Sequence, residues 1–122
     1  MRKYSEEHVW INVEGQSAIV GITHHAQDTL GDVVFVELPQ VGSVLEQGAV
    51  AGVVESVKAA ADVFMPVLGE ITEVNEALRD DPSLANSDPL GAGWFFKIKM
   101  IEPAQLLALL DESAYATLLA NN

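Results

Sequence analysis

The chain has 122 residues, no cysteine, and 18 acidic side chains against six lysines and arginines, a formal net charge of −12. Without cysteine there is no disulfide, thiol catalysis or cysteine metal site, and the composition suits a reducing cytoplasm. The acidic balance excludes sequence-independent binding to nucleic acid or to an anionic membrane, since both would repel it.

With 49% apolar residues the chain can close one compact core, so a single domain over residues 1–122 is expected. Met1 to Glu7 lacks the apolar core of a signal peptide, and no apolar run approaches the about 18 residues of a membrane span. A cytoplasmic protein is expected.

In chain order, Val9–Val13 and Ala18–Ile22 flank Glu14-Gly15-Gln16-Ser17 and predict a hairpin. Ala26 to Gly31 predicts a short helix ended by glycine. Val33 to Leu38 is β-branched and nearly all apolar, which predicts a strand with little solvent on either face, stopped by Pro39. A further strand is predicted from about Ala49 to Val57, its partner from Val63 to Val67, and another from Gly69 through Val74. Gly48 and Gly69 are read as turns, and Asn75 as the cap of a brief helix through Leu78.

Asp80-Asp81-Pro82-Ser83 and Asn86-Ser87-Asp88-Pro89 carry turn chemistry and predict an irregular surface loop. Trp94 to Met100 alternates, placing Trp94, Phe96, Ile98 and Met100 on one face and Phe95, Lys97 and Lys99 on the other. Pro103 suits a helix first turn, and Gln105–Leu110 and Ala114–Ala120 predict two short C-terminal helices. Strands dominate, so the fold class is mainly β: a barrel or sandwich with short helices packed outside.

Lys58 stands midway between two predicted strands, with no other lysine or arginine within twenty residues on either side. A basic patch is not its purpose. An ε-amine on a flexible stem at a hairpin tip suits covalent acylation, which removes its charge and leaves a long tether. The bland alternative is a solubility residue guarding a strand edge.

Other constellations carry less. His24 and His25 are adjacent and would diverge on a helix, and His25 with Asp28 makes too small a donor set for a metal. No Gly-x-Ser-x-Gly elbow is present, and Leu90-Gly91-Ala92-Gly93-Trp94 lacks the helix and Lys-Ser/Thr of a phosphate loop. No catalytic residue and no metal ligand is assigned.

Several segments fall together into a known pattern: Ser5-Glu6-Glu7-His8 with Trp10, Val20-Gly21-Ile22-Thr23, Ala26-Gln27, Leu30-Gly31-Asp32 on to Pro39, Val54-Glu55-Ser56-Val57-Lys58-Ala59, Val74 to Leu78, and Gly93-Trp94 with Lys97-Ile98-Lys99. From about Lys3 to Leu119 they resemble the glycine cleavage system H-protein family. Biotin carriers usually flank their lysine with methionine, and lipoyl domains of 2-oxoacid dehydrogenases usually place aspartate before it. Here Val57 and Ala59 flank Lys58.

The resemblance implies a barrel-sandwich hybrid of the lipoyl- and biotinyl-carrier kind and a non-catalytic carrier with lipoate in amide linkage on Lys58. It implies three enzyme partners: a pyridoxal-phosphate glycine decarboxylase, a tetrahydrofolate-dependent aminomethyltransferase and a dihydrolipoamide dehydrogenase. A lipoate-attaching enzyme is the fourth partner, for which Glu55, Ser56 and Asp62 are the expected recognition residues. A monomer suits a shuttle.

His8, Val9 and Trp10 are candidates for the groove that parks the loaded arm. The family usually reads His-Glu-Trp there, with the glutamate associated with holding the amine. Val9 replaces it, and valine accepts no hydrogen bond. Ala61 likewise stands where serine is common. This departure motivates an alternative reading, an H-like paralogue that relays lipoyl groups to other lipoate-dependent enzymes.

Overall fold

The computed structural model describes residues 1–121. Among the described residues, nine strands form two antiparallel sheets. The strands are β1 (Arg2–Tyr4), β2 (Val9–Glu14), β3 (Ser17–Ile22), β4 (Val33–Glu37), β5 (Val44–Leu45), β6 (Val50–Ser56), β7 (Ala60–Phe64), β8 (Gly69–Val74) and β9 (Phe96–Met100). The six-stranded sheet runs β1-β2-β3-β9-β8-β5, and the three-stranded sheet runs β4-β6-β7. Helices α1 (His24–Leu30), α2 (Ala77–Asp80), α3 (Leu84–Ser87) and α4 (Glu112–Ala120), with a 3₁₀ turn over Pro103–Ala108, fill the connections.

Both sheets bury their inner faces in one core. Val9, Ile11, Val20, Ile71 and Ile98 enter it from the larger sheet, and Val36, Val54 and Val63 from the smaller. Because strand side chains alternate, Trp10 points the other way from Val9 and Ile11. It joins Tyr4 and Tyr115 in a second, aromatic cluster. Gly21 pairs with Trp10 across the β2–β3 ladder, and a Cβ there would lie 2.7 Å from Trp10 Cζ2, so only glycine lets the indole lie flat on its neighbour. Trp10 Nε1–H donates to the Pro89 carbonyl at 3.0 Å, satisfying its one polar atom.

The hairpin at Gly15 forms as expected, with Gly15 at φ +63° in a two-residue connection between paired Glu14 and Ser17. The brief helix expected after Asn75 forms and runs on to Asp80, but its N-cap is Glu76 rather than Asn75, which lies one residue earlier and accepts from the Ala77 N–H at 3.2 Å. The first helix begins earlier than Ala26, because Thr23 caps it by accepting from the Ala26 N–H. Around Lys58, β6 ends at Ser56, one residue before the expected Val57, and β7 lies closer to the tip than expected, over Ala60–Phe64 rather than Val63–Val67. Toward the C-terminus the first of the two predicted helices is the 3₁₀ turn.

Four expectations are corrected. Val34 and Phe35 of β4 are 54% and 52% exposed, because a register shift between Val33 and Phe35 and the bare outer face of the small sheet leave them in solvent. The segment from Asp80 to Pro89 is not an irregular loop: α3 lies within it, with Ala85 fully buried, and Asp81 and Ser83 shape the corner that leads into it.

Trp94 precedes the β9 ladder and packs on the aromatic cluster, while Phe95 donates its N–H to the Val20 carbonyl and buries its ring in the main core. Gly69 is no turn but the first residue of β8, where a Cβ would press on the Lys99 carbonyl at 3.0 Å.

Candidate functional site

The β6–β7 hairpin pairs Glu55 with Ala60, so Ser56, Val57, Lys58 and Ala59 form its tip. Ser56 organises that turn by itself. Its N–H donates to the Ala59 carbonyl at 2.8 Å, and its Oγ accepts from the N–H groups of Lys58 at 3.3 Å and Ala59 at 3.0 Å. Val57 N–H donates to the Asp32 carbonyl at 3.1 Å, tying the tip to the loop after α1. Lys58 is exposed and joins neither ion pair found among the described residues. Its stem passes Gly31, where an added Cβ would touch Cε at 3.5 Å; Gly31 itself sits at φ +78° as the C-cap of α1.

Asn86 of α3 braces this platform. Its Oδ1 accepts from Val33 N–H at 2.8 Å, and its Nδ2 donates to the Gly31 carbonyl at 2.8 Å and to Gln27 Oε1 at 3.0 Å. Three elements, α1, β4 and α3, are thereby fixed to one amide. Its turn-like sequence context gave no sign of this role.

Beside the tip runs a groove of about 360 Å³. Ala59, Ala60 and Ala61 form one wall, Ala26, Thr29 and Leu30 of α1 the other, and Glu7, His8 and His25 one end. A second cavity of about 380 Å³, between α1 and α4, shares only His25 with it and does not touch the hairpin. The smaller groove is the one Lys58 can reach. Its walls are apolar and its end is polar, a fit for a hydrocarbon tether with a polar terminus.

Of the predicted residues, His8 lines this groove. Val9 and Trp10 do not: they are 1% and 2% exposed, Val9 in the main core and Trp10 in the aromatic cluster. Glu55 and Asp62 lie on the outer face of the small sheet, because their cross-strand partners Phe35 and Val53 alternate with inward Val36 and Val54. Glu37 joins them there, so the outer face that carries Phe35 also carries three acidic residues.

His8 sits at φ +67°, a left-handed conformation that costs a non-glycine residue. Its Nδ1 lies 2.8 Å from the Tyr115 hydroxyl, which lies 2.8 Å from Thr23 Oγ1. The His8 and His25 rings are 4.6 Å apart. Burial and the nearby His25 hold the His8 imidazole below its ordinary value, against the opposing pull of Glu7. Among the described residues no three His, Asp or Glu side chains converge on a metal position, and no helix is long and apolar enough to cross a membrane.

The family pattern of the glycine cleavage H-protein matches residues 2–122. The glycine cleavage system H protein of Laribacter hongkongensis is 54% identical over 114 residues, 93% of this chain and 90% of the relative. That of Klebsiella pneumoniae is 56% identical over 118 residues, 96% and 92% of the two chains. Among solved structures, a glycine cleavage system H protein from Mycobacterium marinum superposes with a TM-score of 0.90 at 39% identity, covering 98% of this chain and 96% of that one. The two-sheet carrier fold, the displayed lysine and these matches over nearly the full length lead to one statement: this chain belongs to the glycine cleavage H-protein family.

Proposed function

We propose that Lys58 is the attachment point of a lipoyl group, held in amide linkage at the hairpin tip. The observation that carries this reading is an exposed lysine, in no ion pair among the described residues, at a turn closed by Ser56, with an apolar groove opening beside it. As a family member the chain serves as the lipoyl-bearing carrier of aminomethyl groups in glycine cleavage, without turnover of its own. The lipoyl group supplies a redox-active dithiol that takes the aminomethyl cargo on one sulfur.

The chain's own residues display and shelter that group. Ser56 fixes the tip, Gly31 leaves space for the stem, and Ala26, Leu30 and Ala59–Ala61 line the bed of the arm. A tether turns successive encounters into one substrate at high effective concentration. The decarboxylase, the aminomethyltransferase, the dihydrolipoamide dehydrogenase and the lipoate-attaching enzyme each approach this tip, with the chain acting as a monomeric single domain. Phe35 with Glu37, Glu55 and Asp62 gives the attaching enzyme an aromatic anchor inside an acidic rim, complementary to a basic entrance. A relay role toward other enzymes needs the tip but not the groove, and retention of the groove favours the carrier.

Intact mass after expression with lipoate, followed by peptide mapping across Val53 to Pro66, tests the assignment. A lipoyl-sized increment on Lys58 supports it; no increment in the presence of a competent attaching enzyme overturns it.

A further inference from the structure

Helix α4 is held to the body of the protein mainly by one side chain. Tyr115 alone among its residues is buried, Leu118 and Leu119 are half-buried against the aromatic cluster, and no ion pair among the described residues ties the helix down. The Tyr115 ring stacks on Tyr4, with centroids 4.6 Å apart and planes 7° from parallel. The helix closes its own first turn, Asp111 accepting from the Ala114 N–H at 2.8 Å. Just before it the chain is anchored, because Tyr4 and Leu110 exchange two backbone hydrogen bonds of 2.8 Å. The cavity of about 380 Å³ between α1 and α4 is lined by Asp28 of one helix and Glu112 of the other, so the two bring like charges to it and no attraction. Everything needed for α4 to leave as a unit after Leu110 is in place except a trigger.

The Tyr115 hydroxyl is the middle member of a three-atom relay. His8 Nδ1 lies 2.8 Å to one side and Thr23 Oγ1 2.8 Å to the other. Thr23 is 2% exposed, and its oxygen already accepts from the Ala26 N–H at 3.2 Å. Three atoms make two links, and each link takes one proton. With neutral His8 the count closes: Thr23 donates to Tyr115, Tyr115 donates to Nδ1, and the imidazole proton sits on Nε2. Protonated His8 brings a third proton to the same two links, and one hydroxyl is left with no acceptor among the described residues. A stranded buried donor costs more than a formed hydrogen bond contributes. Burial pushes the Tyr115 hydroxyl up from its ordinary 10.0, so it keeps its proton and cannot relieve the surplus.

The other groups facing His8 leave that balance standing. His25 of α1, its ring 4.6 Å away, disfavours a second cation, and Glu7 beside it favours one; burial and His25 prevail and hold the imidazole below its ordinary 6.5. With α4 away, both the burial and the relay are relieved, and the imidazole returns toward that value. We propose that α4 is a latch opened by a proton on His8: docked while the imidazole is neutral, it swings off Tyr4 when the imidazole is charged and opens the cavity beside α1. Docking is fully supported above about pH 6.5 and loses that support as pH falls through the lower docked value. Release also frees His8 from the one hydrogen bond its ring makes among the described residues, so the polar end of the groove loosens with the helix.

Amide hydrogen exchange on the full-length, unmodified protein, corrected for intrinsic rates, tests the latch at about pH 7.5 and about pH 5.5. In the wild type, protection of the α4 amides should fall about tenfold between the two while that of β2 and β3 holds. Tyr115→Phe keeps the ring on Tyr4 and removes the relay; His8→Asn, tolerant of left-handed backbone, removes the proton. In both, α4 protection should no longer depend on pH. ¹⁵N shifts of the wild-type imidazole at about pH 7.5 should show the Nε2–H form. An α4 equally protected at both pH values, a fall shared by β2 and β3, the same fall in Tyr115→Phe, or an Nδ1–H imidazole in the wild type would overturn the latch. The readout needs no lipoyl group, so its failure leaves the Lys58 assignment standing.

Discussion

In the six-stranded sheet, β2 buries Val9 and Ile11 on one face and Trp10 on the other; in the three-stranded sheet only the inner face is covered, and Phe35, Glu55 and Asp62 look outward. Both regions use β-branched strands and antiparallel pairing. They differ in what constrains each side chain. In the large sheet a residue is fixed by the volume it fills, whereas at the small sheet's tip it is fixed by what it presents. Substitutions should therefore lower stability in the first region and function in the second.

Lys58→Arg is the sharpest probe of the second region. Carrier activity should vanish, because guanidinium is not acylated in this way, while thermal unfolding stays at the wild-type midpoint. A shifted midpoint would mean that the tip is a structural element after all. In the first region, Ile98→Ala empties a fully buried position between both ladders of β9. Denaturant unfolding should show a loss of about 2–5 kcal/mol.

Asn86→Ala tests whether the two regions are mechanically joined. It unmakes three hydrogen bonds beneath the tip and should cost about 1–3 kcal/mol, with slower lipoylation as the platform loosens. Stability loss with unchanged lipoylation would separate platform from tip.

Phe35→Ser should leave stability within about 0.5 kcal/mol yet slow lipoylation several-fold, since the ring is half exposed and belongs to neither buried cluster. Equal lipoylation kinetics would remove the outer face as a docking surface.

The smallest expected effect is a pH dependence where the regions meet. His8, faced by His25 from α1, Tyr115 from α4 and its own neighbour Glu7, is held below the ordinary histidine value of 6.5. The unfolded chain takes up that proton first as pH falls, so this contribution is fully present above about 6.5 and is lost as pH drops through the lower folded value. Thermal scans of wild type and His8→Asn should diverge above pH 6.5 and converge in mild acid. Parallel curves would show that His8 titrates without coupling to folding.

Strand content, the first hairpin and the Lys58 tip were legible because each depends on local pattern: alternation, a glycine at a tight connection, a lone cation in an acidic chain. The exposure of Val34 and Phe35 was not legible, because an apolar run does not say whether a second layer covers it. Nor was α3, whose turn-forming residues serve corners between short helices instead of a solvent loop. Asn86, Thr23 and Tyr115 act across 53 to 107 residues of sequence, and nothing local marks such partnerships. Placing Trp94 on the core face assumed that the β ladder began there, two residues before Phe96.

The Ser56 turn has a consequence for how the protein is kept in the cell. Because the tip closes on its own hydroxyl and the Lys58 ammonium has no partner among the described residues, acylation removes no native contact and makes the chain only one charge more negative. Bare and modified protein should then be equally resistant to unfolding and to proteolysis. A pool of unmodified carrier would persist as substrate for the attaching enzyme, and the supply of prosthetic group, not turnover of misfolded chains, would set how much of that pool is active.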